Sequence, residues 1–167
     1  MSTVTLRGNT LRISGELPAV GSALPDFKLV DPKLQDVTLA TYAGKWLVLN
    51  LFPSVDTGTC AMSVRTFNAK AAGLEGVAVL CISEDLPFAH RRFCGAEGIE
   101  GVAALSTLRD RGFGERMGLQ LLDSGMAGLL ARAVVVADPQ GIVRYVQLVP
   151  EVTSEPDYDA ALGAVGL

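Results

Sequence analysis

Residues 46–60 of the chain are Trp46-Leu47-Val48-Leu49-Asn50-Leu51-Phe52-Pro53-Ser54-Val55-Asp56-Thr57-Gly58-Thr59-Cys60. The first seven form a nearly continuous apolar run, which predicts a strand that is buried on both faces. Pro53 ends this strand, and a polar loop leads from it to Cys60. Apolar residues then recur with the period of a helix. The stretch therefore predicts a strand, a loop and a helix in succession, as in an α/β fold.

Cys60 lies in the first turn of the predicted helix, which covers residues 59–73. Backbone N–H groups lack helical partners there, and the positive end of the helix dipole favours a negative charge. Both features favour the thiolate, which is the nucleophilic form of cysteine. The predicted core-facing stripe of this helix is Cys60, Val64, Phe67, Ala71 and Leu74. We therefore expect the Cys60 thiol to lie in a shallow pocket and to act as a nucleophile.

The rest of the chain alternates strands and helices. An N-terminal hairpin is predicted from residues 4–7 and 11–14 around Gly8-Asn9, and Asp85 is predicted to cap a helix that ends near Cys94 and Gly95. Further strands are predicted at residues 27–30, 37–39, 77–82, 103–108, 131–137 and 142–149, and further helices at 113–117 and 158–165. This order predicts one three-layer α/β domain over residues 1–167, with a mixed central sheet.

Composition narrows the possible functions. The chain has 167 residues, of which 49% are hydrophobic and 19% charged, as expected for a globular domain. Its net charge is −4 without a basic run, which argues against nucleic acid as the main partner. It has no apolar run of the roughly 20 residues that a membrane span needs. The N-terminal segment has no signal-peptide pattern, so we expect a cytoplasmic protein. Three cysteines do not form a disulfide framework.

Several segments resemble a known family. Residues 52–60 resemble the Pro-x-x-x-Thr-x-x-Cys signature of the peroxiredoxins, and residues 86–98 are similar to the resolving-cysteine helix of the bacterial thiol peroxidase subfamily. Residues 131–136 and 153–158 are also similar to that subfamily. The resemblance implies a thioredoxin fold with an added N-terminal hairpin, usually in a homodimer. It also implies reduction of hydroperoxides, without a cofactor or metal, by an enzyme that thioredoxin recycles.

The resemblance also implies roles for five residues. Cys60 would attack the peroxide and become a sulfenic acid, and Cys94 would then form an intramolecular disulfide with it. Arg132 is a charged residue in an otherwise apolar strand, and its guanidinium can donate hydrogen bonds to both sulfur and peroxide oxygen. The Thr57 hydroxyl would reach the thiolate or the bound peroxide, unless Thr57 is only a helix cap. Pro53 would limit the access of water to the sulfur.

The predicted disulfide sets a geometric condition. The Cα atoms of two bonded cysteines must approach within about 7 Å, and both cysteines are predicted to be helical. We therefore predict that the first turn at Cys60 and the helix of Cys94 unwind locally during the cycle. An apolar pocket edge formed by Phe52, Leu86 and Phe88 would favour alkyl hydroperoxides as substrates.

Other interpretations give the same residues different roles. Cys81 lies in an apolar strand and is predicted to be a core residue, and His90 is predicted to lie on a solvated helix face. Cys60, Cys81, Cys94 and His90 are ligand types suitable for zinc, although no Cys-x-x-Cys pair is present. A general dithiol–disulfide oxidoreductase would normally have a cysteine where Thr57 stands. A non-enzymatic thioredoxin-like binding module would need Cys60 only for packing.

Overall fold

A seven-stranded mixed sheet forms the centre of the fold. The computed structural model describes residues 2–166. The strands are β1 (Thr3–Leu6), β2 (Asn9–Arg12), β3 (Lys28–Val30), β4 (Asp36–Thr38), β5 (Trp46–Leu51), β6 (Val77–Ser83), β7 (Ala103–Ser106), β8 (Ala133–Ala137) and β9 (Val143–Leu148). The α-helices are α1 (Gly58–Ala71), α2 (Pro87–Glu97), α3 (Phe113–Arg116) and α4 (Tyr158–Gly163). The spatial order of the large sheet is β4-β3-β7-β6-β5-β8-β9, and β1 and β2 form a separate hairpin.

Strand β5 lies inside the sheet, between β6 and β8, and contributes side chains to the hydrophobic clusters on both faces. It pairs in parallel with β6 and antiparallel with β8. Its side chains alternate between the two faces of the sheet, as the period of two in a strand requires. Leu47, Leu49 and Leu51 pack into one hydrophobic cluster, whereas Val48 belongs to the other, together with Phe52 just after the strand. Burial on both faces explains why the sequence of β5 is apolar throughout.

Three helices cover one face of the sheet, and the hairpin and the short helix α3 cover the other. Residues of α1, α2 and α4 pack into the cluster that contains Val48, and residues of the β1–β2 hairpin and α3 pack into the other. The predicted α/β class, with a mixed sheet, flanking helices and an N-terminal hairpin, is therefore confirmed. Within residues 2–166, no helix is both long enough and apolar enough to cross a bilayer.

Some predicted boundaries differ from the structure. The hairpin turns at Arg7 and Gly8, which both have positive φ, and β2 already starts at Asn9. Helix α2 does not stop at Gly95. It continues to Glu97, where the left-handed Gly98 ends it. The prediction that Asp85 caps α2 is wrong, because Leu86 occupies the cap position and the Asp85 carboxylate accepts hydrogen bonds from other segments.

Gly118 and Gly44 both have a left-handed backbone conformation, but only Gly118 lies close to another backbone segment. Gly118 has a φ of +69°, and a Cβ built there would lie 2.1 Å from the carbonyl oxygen of Glu16. Gly44 has a φ of +81° and has open space around it. We expect Gly44→Ala to cost about 1 to 2 kcal/mol in the free energy of unfolding, because only the backbone conformation is strained. Gly118→Ala adds a backbone collision and should cost about 3 kcal/mol or more.

Urea unfolding followed by circular dichroism measures both values. An equal loss of stability in the two variants would show that the approach of the 15–18 segment to Gly118 does not constrain the fold.

Candidate active site

The pairing of β5 with β8 brings two distant segments together. Leu51, at the end of β5, pairs with Ala133, at the start of β8. The strands are antiparallel, so Pro53, which follows β5, and Arg132, which precedes β8, lie at the same edge of the sheet. Helix α1 starts at this edge with Thr57 at its cap position, which places Cys60 in the first turn. The fold therefore gathers four of the five predicted site residues at one place.

Arg132 donates a hydrogen bond to Cys60. The distance from Nη2 of Arg132 to Sγ of Cys60 is 3.2 Å, and both side chains are buried, with exposed fractions of 1% and 0%. Nε of Arg132 donates to the carbonyl oxygen of Val152 at 3.0 Å, which fixes the orientation of the guanidinium. Its Nη1 is buried and has no hydrogen-bond partner among residues 2–166. The guanidinium therefore has a further N–H donor available at the site.

A cleft of about 390 Å³ opens next to this pair. Its wall is formed by Leu6, Arg7, Pro53, Thr57, Gly58, Thr59, Met126, Arg132, Val152 and Thr153. The predicted apolar edge of Phe52, Leu86 and Phe88 is wrong. Phe52 is fully buried in the core, and the other two are half-exposed side chains outside this wall. The apolar part of the wall comes instead from the hairpin and from two loops that are distant in sequence.

The Thr57 hydroxyl makes a local contact in this structure. It donates to the carbonyl oxygen of Ser54 at 3.1 Å. Thr57 occupies the N-cap position of α1, but its side chain accepts no hydrogen bond from the helix N–H groups. Its oxygen keeps acceptor capacity, and the side chain lines the cleft. Thr57 is therefore not a side-chain helix cap here, and it borders the space into which Arg132 projects.

Asp85 holds the loop between β5 and α1. Its carboxylate accepts from the Ser54 hydroxyl at 2.7 Å and from the Val55 N–H at 2.9 Å. Ser83 also donates to it, and the ring of His90 lies 3.7 Å away. Burial raises the pKa of Asp85, but the neighbouring His90 and the bonds from Ser83, Val55 and Ser54 outweigh burial and lower this pKa to about 2. The loop is therefore attached to a carboxylate that stays ionised at neutral pH.

His90 is fully buried, so the prediction of a solvated helix face is wrong. Its Nε2 lies 2.8 Å from the hydroxyl oxygen of Ser83. The buried residues of α2 are Pro87, His90 and Phe93, which recur at a spacing of three. This spacing in the sequence indicates a buried helix face that includes His90, but the two arginines after His90 favoured a polar face instead. Asp85 was also missed as a site residue, because its contacts join segments that are distant in sequence.

Glu151 is a further residue that the sequence did not indicate. Its carboxylate accepts from the N–H of Thr153 at 2.9 Å and from the N–H of Gly8 at 3.0 Å. Hydrogen bonds from the Thr153 backbone and hydroxyl and from the Gly8 N–H lower the pKa of Glu151 to about 2. This carboxylate ties the hairpin to the segment whose Val152 carbonyl holds Arg132.

The three cysteines are free thiols in different environments. Cys94 is half-buried in α2 and packs against the same cluster as Cys60. Cys81 is fully buried, which confirms its predicted place in the core, and burial raises its pKa to about 12. Burial also raises the pKa of Cys94. Among residues 2–166, no three His, Cys, Asp or Glu side chains are grouped so that they could hold a metal ion.

The chain is similar to several known proteins. The Redoxin family matches residues 19–162 of the chain. A protein of Mycobacterium tuberculosis named thiol peroxidase is 54% identical over 166 residues, which cover 99% of each chain. A Corynebacterium glutamicum protein of the same name is 54% identical over 165 residues and 99% of each chain. The crystal structure of a peroxiredoxin-like protein from Aquifex aeolicus has a TM-score of 0.92 and 38% identity, and covers 98% of this chain and 96% of its own.

The two raised thiol pKa values predict a pH-dependent alkylation pattern. A thiol with a raised pKa is mostly protonated at neutral pH, so iodoacetamide should label Cys94 slowly and faster as the pH rises. Cys81 should stay unlabelled in the folded protein throughout, because it is buried as well as protonated. Peptide mass spectrometry gives the extent of labelling at each site, and urea-unfolded protein is the control in which both must react. Labelling of Cys81 as fast as Cys94 in the folded protein would contradict this account.

Proposed function

The chain belongs to the Redoxin family and is a thiol-dependent peroxidase of the peroxiredoxin type, and from this premise we propose how its residues carry out the reaction. Cys60 reduces hydrogen peroxide and alkyl hydroperoxides, and Cys94 resolves the product as a Cys60–Cys94 disulfide that thioredoxin recycles. Arg132, Thr57 and Pro53 complete the site. The chain works as one peroxiredoxin domain over residues 1–167. The observation that carries the proposal is the buried hydrogen bond from Arg132 to the Cys60 sulfur.

The charge of Arg132 favours a thiolate at Cys60. A guanidinium stays protonated in proteins, so the buried Arg132 carries a positive charge. A buried charge is costly unless it is paired. Among residues 2–166, no carboxylate lies within ion-pair distance of Arg132, and its charged side chain contacts the Cys60 sulfur instead. A Cys60 thiolate would neutralise this charge, with the N-terminus of α1 adding to the stabilisation.

The first step is the attack of this thiolate on a hydroperoxide in the cleft. The sulfur bonds to one peroxide oxygen, the O–O bond breaks, and the other oxygen leaves as water or an alcohol after taking up a proton. Nη1 of Arg132, which has no hydrogen-bond partner within residues 2–166, can stabilise the oxygen on which negative charge develops. The Thr57 oxygen can orient the peroxide, and Pro53 closes one side of the cleft without offering an N–H group. Leu6, Met126 and Val152 would contact the alkyl group of an organic hydroperoxide.

The second step joins Cys60 to Cys94. The Cys94 thiol attacks the Cys60 sulfenic acid, an S–S bond forms, and water leaves. Cys60 is enclosed in the first turn of α1 and Cys94 is half-exposed within α2, so we propose that both helices unwind locally before the bond forms. Cys81 is a poor alternative partner, because it is buried in β6 and burial holds its pKa near 12.

The reductant, the assembly and the compartment follow from the same proposal. Local unwinding would expose the Cys60–Cys94 disulfide at the surface. The dithiol of thioredoxin could then reach it and return Cys60 and Cys94 to thiols by exchange. Leu86 and Phe88 are half-exposed at the start of the Cys94 helix and offer an apolar surface to a protein partner. The sequence resemblance supports a homodimer. A cycle that needs free thiols and a thioredoxin pool is suited to the reducing cytoplasm.

Three single substitutions test these roles in a coupled assay with thioredoxin, thioredoxin reductase and NADPH. Cys60→Ser should abolish peroxide consumption. Cys94→Ser should consume about one equivalent of peroxide per chain and then lose turnover, since its sulfenic acid has no intramolecular partner. Cys81→Ser is the matched control and should turn over like the wild type.

The outcomes also separate the other candidate functions. Wild-type rates of peroxide consumption in Cys60→Ser would eliminate Cys60 as the nucleophile and with it the proposed mechanism. A wild type that neither consumes peroxide nor reduces disulfides would leave a binding module. Normal turnover in Cys94→Ser would move the resolving role to another thiol. Reduction of protein disulfides without peroxide consumption would favour a general dithiol–disulfide oxidoreductase.

A further inference from the structure

Asp85 connects the loop before Cys60 to the helix that carries Cys94. We propose that Asp85 is a positioning residue for the peroxidase reaction, acting in a buried hydrogen-bonded group with Ser83 and His90 that we call the Asp85 clasp. The clasp holds the Ser54–Val55 segment and helix α2 in the arrangement in which Cys60 attacks peroxide. Its release accompanies the unwinding that lets Cys94 reach the sulfenic acid. The inference rests on the proposed function and adds residues that the reaction scheme above does not use.

One end of the clasp is the loop. The two carboxylate oxygens of Asp85 accept from the Ser54 hydroxyl at 2.7 Å and from the Val55 N–H at 2.9 Å. The Ser54 oxygen in turn accepts from the N–H of Asp56, and the Ser54 carbonyl accepts from the Thr57 hydroxyl. One carboxylate therefore fixes the backbone that leads from Pro53 into the first turn of α1.

The other end of the clasp is helix α2. The Ser83 hydroxyl donates to Asp85 and accepts from the Asp85 N–H at 3.2 Å. Its remaining lone pair can accept from Nε2–H of His90 at 2.8 Å, so the network assigns the ring proton to Nε2. His90 lies one helical turn before Cys94, and both are residues of α2. Unwinding α2 around Cys94 would pull on the ring that closes the clasp.

Two exposed ion pairs also connect α2, one to the loop and one to α1, but they should matter less. Arg92 pairs with Asp56 and Arg65 pairs with Glu97, on either side of Cys94 in α2. Both pairs are accessible to water and salt, and exposed pairs contribute little to stability. The clasp is largely buried, and its carboxylate is held ionised by several donors. Hydrogen bonds to a charged group in such a place are among the stronger ones. The clasp is therefore the main link between loop and helix.

The chemical consequence is a competition for the Cys60 sulfenic acid. In the clasped arrangement, a second hydroperoxide can oxidise the sulfenic acid to a sulfinic acid, which transfers one oxygen to sulfur and releases water or an alcohol. In the unwound arrangement, the Cys94 thiol forms the disulfide and water leaves. A weaker clasp should slow the first oxidation of Cys60 and shift the later competition toward the disulfide.

The test compares Asp85→Asn and Ser54→Ala with the wild type. Reduced protein is mixed with rising concentrations of hydrogen peroxide, and mass spectrometry measures disulfide and sulfinic acid at Cys60. We expect the peroxide concentration that gives half sulfinic acid to rise about tenfold in Asp85→Asn, the change that about 1.4 kcal/mol produces. Ser54→Ala, which removes one bond at the loop end, should raise it about threefold or more. His90→Leu should shift it in the same direction.

Asp138→Asn is the matched control. Asp138 also accepts hydrogen bonds from two backbone N–H groups and a side chain, but at the opposite end of β8 from Arg132. This variant should lose thermal stability without changing how oxidised Cys60 is divided between disulfide and sulfinic acid, which we call the partition. A partition in Asp85→Asn and Ser54→Ala equal to that of Asp138→Asn would overturn the clasp. If Asp85→Asn does not fold, Ser54→Ala and His90→Leu decide the outcome. A wild type that forms no Cys60–Cys94 disulfide would instead overturn the proposed function.

Discussion

The buried contact between Arg132 and Cys60 is the interaction on which the site depends. A guanidinium with 1% exposure and no carboxylate partner among residues 2–166 is stable only if something nearby balances its charge. Removing the partner of a buried charge costs roughly 3 to 5 kcal/mol in other proteins, so the state of the sulfur and the stability of this part of the fold are coupled. The guanidinium that contacts the sulfur through Nη2 can stabilise a departing peroxide oxygen through Nη1. The Arg132 side chain thus serves both the stability of the fold and the reaction.

Long-range pairing supplies the geometry for this contact. The register of β5 and β8 places Pro53 and Arg132 at one edge of the sheet, although they are far apart in sequence. The Val152 carbonyl then orients the guanidinium, and Glu151 ties that segment to the N-terminal hairpin. The hairpin is outside the large sheet, yet it contributes Leu6 and Arg7 to the cleft. Each layer of the fold therefore contributes to the position of one sulfur atom.

Local patterns predicted the elements that depend on local chemistry. The apolar run of β5, the helix after it and the position of Cys60 in its first turn could all be read from residues 46–60. Arg132 was found because a charge in an apolar strand is conspicuous. His90 was misplaced because its neighbours in sequence are arginines, whereas its burial depends on Ser83 in another element. Asp85 was interpreted as a helix cap for the same reason, since its partners lie in the loop before α1. The positions of His90 and Asp85 both depend on contacts between segments that are distant in sequence. A single sequence does not reveal such contacts.

The dependence of Cys60 reactivity on Arg132 is the most direct test of this account. A chain with Cys81→Ser and Cys94→Ser keeps Cys60 as its only thiol, and stopped-flow mixing with hydrogen peroxide measures the rate of its single oxidation. We predict that adding Arg132→Met, with folding checked by circular dichroism, lowers this rate about a hundredfold or more, because Arg132 donates to the Cys60 sulfur and to the developing oxyanion. An unchanged rate in the folded Arg132→Met chain would contradict the account.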